Sequence, residues 1–122
     1  MSTINLTADT FEQTINANDL VLVDWWASWC GPCRNFAPIF EKAAETHADI
    51  VFGKIDTDAE QALAGAANIT AIPTLMAFRE GVLVFSQPGA MAGPQLEELI
   101  TAVRSIDMAQ VHAEIAAQNS QS

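Results

Sequence analysis

The chain is poor in positive charge. Five Lys and Arg stand against fifteen Asp and Glu, for a formal net charge of −10 over 122 residues. Nucleic-acid binding needs clustered cations to displace counterions from phosphates, and the basic residues here are scattered, so nucleic acid is excluded as a partner. The acidity reads as a soluble, self-repelling surface, with a basic partner face as the alternative. Cysteine is equally scarce, at two residues, which excludes a framework of several disulfides. Reducing compartments keep most thiols reduced, and the disulfides that form there are usually transient and catalytic. A bridge across a four-residue loop would also be a weak staple. It gains only roughly 2 kcal/mol in the chain-entropy model, against about 4.7 for a 100-residue loop. No apolar run approaches the roughly 20 residues needed to span a bilayer, so no membrane association is expected. The opening Met1 to Leu6 lacks the basic and apolar regions of a secretory signal, and the expected location is cytoplasmic. No internal repeat or long linker interrupts the chain.

Half of the residues are hydrophobic, enough for a packed core. Ile4–Leu6 suits a short strand. Thr7 can cap a helix bearing Phe11 and Ile15 on one face. Leu20–Val23 is an unbroken apolar run, as in a strand buried on both faces, and it leads into Asp24-Trp25-Trp26. A helix is predicted from Pro32 to about His47, striped by Phe36, Ile39, Phe40 and Ala43, with Pro38 kinking it. Ile50–Ile55 reads as a second buried strand, and Ala59–Ala67 as a helix-prone stretch. Thr74–Phe78 and Val82–Phe85 form a predicted hairpin joined by Arg79-Glu80-Gly81, with Gly81 free to take positive φ. Leu96, Leu99, Ile100 and Val103 mark a helix after Gly93-Pro94. Met108, Val111 and Ile115 keep helical spacing but fall off the preceding stripe. A break is therefore expected near Ser105–Asp107, with Asp107 capping a short extra helix and Gln118–Ser122 frayed. The order β-α-β-α-β-α-β-β-α predicts an α/β fold: a mixed sheet with helices on both faces, followed by a short helical extension.

The chemistry concentrates in Trp29-Cys30-Gly31-Pro32-Cys33, between a buried strand and a helix, where a Cys-x-x-Cys pair reads as a redox motif. Two cysteines three apart at a helix start can meet the roughly 4.4–6.8 Å Cα spacing of a disulfide, and Pro32 suits the first helical position. Cys30, ahead of the first turn, gains thiolate character from the helix dipole. It is expected to be exposed and to attack a partner's disulfide. Cys33, deeper, is expected to resolve the mixed disulfide. Zinc is the rival reading of the pair, but a structural site wants four ligands. Only His47 and His112 remain, without suitable spacing, so no metal is expected. His47 reads as a surface residue at a helix C-terminus.

The segment Val21–Cys33 resembles the active-site segment of the thioredoxin family. Ala37-Pro38, Ile72-Pro73-Thr74 and Gly89-Ala90 fall where that family's pattern places them, and the likeness runs from about Ile4 to Ile106. It implies the thioredoxin fold over residues 1–106, with 107–122 as an extension. It also implies a cis Ile72-Pro73 bond beside the cysteines, leaving the Ile72 backbone free to pair with an extended client segment. Asp24 would be the buried proton acceptor for the inner cysteine, with Lys54 nearby; burial should raise its pKa. A strand-end cap or ion pair is the other reading of Asp24. Trp29, Gly31, Pro32, Ile72, Pro73, Gly89 and Ala90 match the family's substrate-facing surface, whereas Trp25 and Trp26 read as core and supporting residues. Ala71 departs from the glycine or serine found in many relatives, which bears on partner fit.

The activity implied is reduction of protein disulfides by a monomer. Its partners would be disulfide-containing client proteins and a flavoprotein thioredoxin reductase that supplies electrons from NADPH, with no cofactor bound to this chain. A narrow-client oxidoreductase, and a redox-independent binding subunit using Trp29 and Ile72, are the alternatives. The tail beyond Asp107 could pack on the domain, mediate dimerisation or stay loose.

Overall fold

A computed structural model describes residues 2–120. Its elements are β1 (Thr3–Asn5), α1 (Phe11–Ala17), β2 (Leu20–Trp26), α2 (Gly31–Thr46), β3 (Val51–Asp56), α3 (Gln61–Ala66), β4 (Thr74–Arg79), β5 (Val82–Pro88), α4 (Gly93–Arg104) and α5 (Met108–Ser120). The sheet order is β1-β3-β2-β4-β5. β1, β3 and β2 are parallel; β4 runs antiparallel to β2, and β5 antiparallel to β4. This is the mixed sheet that the alternation of strands and helices predicts.

Side chains alternate across a strand, and β2 shows the consequence. Leu20 and Leu22 enter a core with Phe36 and Phe40 of α2 and Leu96, Ile100 and Val103 of α4. Val21, Val23 and Trp25 enter a second core with Ile15 of α1 and Ala64 of α3. The first core is anchored by aromatic rings. Phe40 lies 5.8 Å from Phe36 and 5.2 Å from Phe52 between centroids, and burying one such side chain is worth about 1.5–3 kcal/mol.

Several boundaries differ from expectation. β2 continues through Trp26 because Asp24, Trp25 and Trp26 keep parallel register with Lys54, Ile55 and Asp56. Thr7 does not cap α1 directly. Its carbonyl accepts from the Thr10 and Phe11 N–H groups, forming a turn, and Thr10 takes the N-cap position. Arg79 belongs to β4, so the hairpin turn is Glu80-Gly81 alone, with φ of 51° and 81°. Two consecutive left-handed residues match the twist of a two-residue hairpin. Pro38 lies inside α2 as expected.

The break before the last helix falls where the sequence places it, and the Asp107 carboxylate accepts the Gln110 N–H at 3.1 Å. α5 is longer than expected, helical through Ser120, and it packs on the domain. Met108 is buried, and His112 meets Glu80 of the hairpin turn at 2.9 Å. The rest of the expected fraying, at 121–122, lies outside the described residues. Arg79 reinforces this end. Its buried guanidinium donates to the Val103 carbonyl at 2.6 Å and to Asp19 at 3.2 Å, holding the α4 C-terminus against the sheet.

Candidate active site

β2 leaves the sheet at Trp26 and the chain turns over Ala27–Cys30, closed by the Cys30 N–H on the Ala27 carbonyl at 3.2 Å. α2 begins one residue later, at Gly31. Pro32 is thus the second helical residue, still within the first turn, where no backbone partner is lost. Cys30 is the N-cap, and its sulfur accepts the Cys33 N–H at 3.2 Å. The two cysteines form a disulfide with Cα atoms 5.2 Å apart, inside the ordinary range.

Cys30 is not exposed as the sequence suggests. In the oxidised pair Cys30 and Cys33 are 5% and 3% accessible, because Ala27, Trp26 and Ile72 pack around them. The asymmetry between the sulfurs lies in their surroundings instead. Cys30 Sγ receives the helix N–H and lies 3.8 Å from the Ile72 carbonyl oxygen, to which its thiol could donate once reduced. The free N–H groups and dipole of the helix start favour a thiolate at Cys30.

Trp29 stands at the rim, 67% exposed. Its indole N–H donates to Asp58 Oδ2 at 2.9 Å, which fixes the ring. The Ile72–Pro73 bond is cis. Pro73 is buried, Ile72 half-buried, and Gly89 and Ala90 are exposed on the neighbouring loop. The Gly89 N–H donates to the Pro73 carbonyl at 2.8 Å, and Gly89 has φ +103°, a conformation costly for any residue with a Cβ. Trp29, Thr57, Ile69, Thr70, Ala71 and Ile72 line a groove of about 430 Å3 beside the cysteines.

Asp24 is fully buried on the sheet face that α2 covers, and neither carboxylate oxygen has a hydrogen-bond partner. It is therefore not a strand-end cap. Burial pushes its pKa up to about 7, with Lys54 pulling in the other direction. Lys54 faces Asp24 in register across β2 and β3, but its ammonium sits over the Trp26 ring, 5.1 Å from the centroid. Trp25 is core and Trp26 half-buried, as the sequence suggests.

Two neighbours of the site escape the sequence reading. Asp58 lies 29 positions from Trp29, and no local spacing joins them. Arg34, one helical turn after Cys30, is signalled by that spacing alone; its Nη1 donates to the Ser28 carbonyl at 2.9 Å. The histidines lie elsewhere, His47 between Glu97 and Arg104, and His112 on Glu80. Among the described residues no cluster of three or more His, Cys, Asp and Glu could hold a metal, and no helix is long and apolar enough to cross a membrane.

A disulfide-forming cysteine pair at a helix start, beside a cis proline, on a mixed five-stranded sheet, defines a thiol–disulfide oxidoreductase. The chain belongs to the thioredoxin family, whose family model matches residues 2–105. It is 50% identical over 120 residues to a putative thioredoxin 2 of Streptomyces coelicolor, covering 98% of this chain and 90% of that one. It is 41% identical over 97 residues to a thioredoxin of Alicyclobacillus acidocaldarius, covering 79% and 92%. A solved Plasmodium falciparum thioredoxin superposes with a TM-score of 0.75 at 35% identity, covering 82% of this chain and 97% of that structure.

Proposed function

We propose that this protein reduces disulfides of client proteins, with residues 1–106 as the working domain and 107–122 as an extension. The client segment lies in the groove along Trp29 and Ile72, against Gly31, Pro32, Pro73, Gly89 and Ala90. The Cys30 thiolate attacks one client sulfur, forming a mixed disulfide, and the second client sulfur leaves and takes up a proton. The Asp24 carboxylate then accepts the proton of Cys33, whose thiolate attacks Cys30 Sγ. That step breaks the mixed disulfide, releases the first client sulfur as a thiol and leaves Cys30–Cys33 oxidised. Two electrons pass from the pair to the client.

The observation that carries this reading is a cysteine pair at the start of α2 combined with an unpartnered carboxyl group at Asp24, on the sheet face beneath that helix. A carboxyl held near neutrality can both accept and return a proton at cellular pH. Lys54 opposes the rise without closing an ion pair, and so keeps Asp24 ionisable.

Electrons are restored by a thioredoxin reductase drawing on NADPH, the flavin and nicotinamide belonging to that partner. The protein acts as a cytoplasmic monomer with no cofactor of its own. Reduction of insulin disulfides in the presence of NADPH and a thioredoxin reductase tests activity, direction and electron source together. NADPH consumption dependent on this chain is expected, and none at all would overturn the reading.

A further inference from the structure

Arg34 is an exposed cation with an unusual setting. Acids outnumber bases fifteen to five. Arg79 and Arg104 each pair with an aspartate at the other end of the fold, yet Arg34 has no carboxylate within ion-pairing distance among the described residues. It is nonetheless fixed. Nη1 donates to the Ser28 carbonyl at 2.9 Å, and Nη2 lies 3.8 Å from where a Cβ on Gly31 would stand. The guanidinium therefore spans the two residues that flank Trp29-Cys30, and Nη2 has no acceptor of its own among the described residues. A group of the opposite sign, Asp58, is tethered to Trp29 through one oxygen. The segment around Cys30 thus carries a negative and a positive group, Asp58 held on Trp29 and Arg34 held on Ser28, each by a hydrogen bond.

We propose that Arg34 is a specificity-determining residue, offering its open edge to a carboxylate carried beside the attacked disulfide of the client. This rests on the reductase reading above and adds the class of client: segments with an acidic residue next to the cysteine. A pre-positioned guanidinium loses little freedom on binding and matches a carboxylate well. The net charge of the chain works against acidic clients at long range, but that repulsion is screened beyond about 8 Å at physiological salt. Contact at the rim is not.

The test is stopped-flow reduction, by the fully reduced protein alone, of short disulfide-linked peptides identical except for Glu, Gln or Lys flanking the cysteine. The Glu peptide is expected to react about three to five times faster than the Lys peptide, the range of an exposed ion pair. Arg34→Glu should reverse that order. Lys42→Glu makes the same charge change two turns further along α2 and should keep the preference for Glu. A wild-type protein that is indifferent or prefers Lys would overturn the proposal, as would a Lys42→Glu effect equal to that of Arg34→Glu, because net charge would then suffice. If the Gln peptide were not reduced at all, the reductase reading itself would fail, which is a separate outcome.

Discussion

Asp24 and Lys54 occupy the same register on adjacent parallel strands, yet neither oxygen of Asp24 receives a hydrogen bond. The pair is a compromise between burial and charge. Desolvation raises the aspartate pKa to about 7, whereas in the unfolded chain it lies near 3.9. The folded state therefore holds this proton more tightly than the unfolded state does. The protonated group costs nothing extra below about pH 4, and stability falls as pH rises from there toward 7.

Asp24→Ala should accordingly stabilise the fold at pH 8 by about 2–3 kcal/mol. The full linkage, at about 1.4 kcal/mol per pKa unit, is offset in part by the small cavity left behind. Near pH 4 the change should be small or slightly destabilising. Denaturant unfolding at the two pH values checks the sign. The same variant should slow disulfide exchange at neutral pH by about two orders of magnitude, the low end of what a positioned proton acceptor contributes.

Removing either sulfur separates their roles. Cys33→Ser should accumulate a stable mixed disulfide between Cys30 and a client peptide, because no resolving thiol remains. Cys30→Ser should form none. Mass spectrometry of the intact adduct reads both. Adduct on Cys33 in the Cys30→Ser variant would reverse the assigned order. Turnover should vanish in both variants, whereas a binding subunit would keep its role without Cys30.

Asp58→Ala frees the Trp29 indole, which otherwise donates to it at 2.9 Å. The ring should become mobile, and client binding should weaken by about threefold to tenfold, near the 1 kcal/mol of one hydrogen bond. The loss should fall on KM more than on kcat, since no reacting atom is touched. Trp29 fluorescence anisotropy is an independent readout of the freed ring.

At the far end of the sheet, Arg79→Met should destabilise the fold by about 2–3 kcal/mol. It removes the charged donor that reaches the buried Val103 carbonyl at 2.6 Å and leaves that oxygen the longer contact with the Ile106 N–H at 3.4 Å. Hydrogen exchange should then accelerate in the last turn of α4 and in α5. Exchange at the cysteines should stay as in the wild type, because Arg79 pairs with Leu20 in register while Trp25, near the site, pairs with Thr74.

How much of this was readable from residues alone follows the range of the interactions. The Cys-x-x-Cys segment, the apolar run before it and the stripe on α2 are local patterns, and they placed the site on its strand and helix. Asp24 stood out because a carboxylate ends an apolar run, and burial confirmed that it is buried. Its lack of any hydrogen-bond partner needed the surroundings. The cis bond at Pro73 came from family resemblance, since nothing in the local residues distinguishes it from an ordinary strand-entry proline. Asp58 escaped notice because its partner is distant in sequence. The burial of Cys30 escaped because it depends on Ile72 arriving from another loop. Thr7 and Thr10 are indistinguishable as caps by residue type, since both are threonines and the intervening turn has no pattern of its own. The length of α5 escaped because a polar, alanine-rich end can be helical or frayed with equal ease until a contact such as His112 with Glu80 secures its start.

The anchoring of α5 on the β4–β5 turn has a practical consequence for anyone attaching something to this protein. Strand β4 runs opposite to β2, so the turn sits at the pole away from the cysteines. A label, a surface linker or a second protein attached at the start of that helix would sit at the rear of the molecule. The reacting mouth would stay unshaded, and an immobilised form would meet its clients face outward.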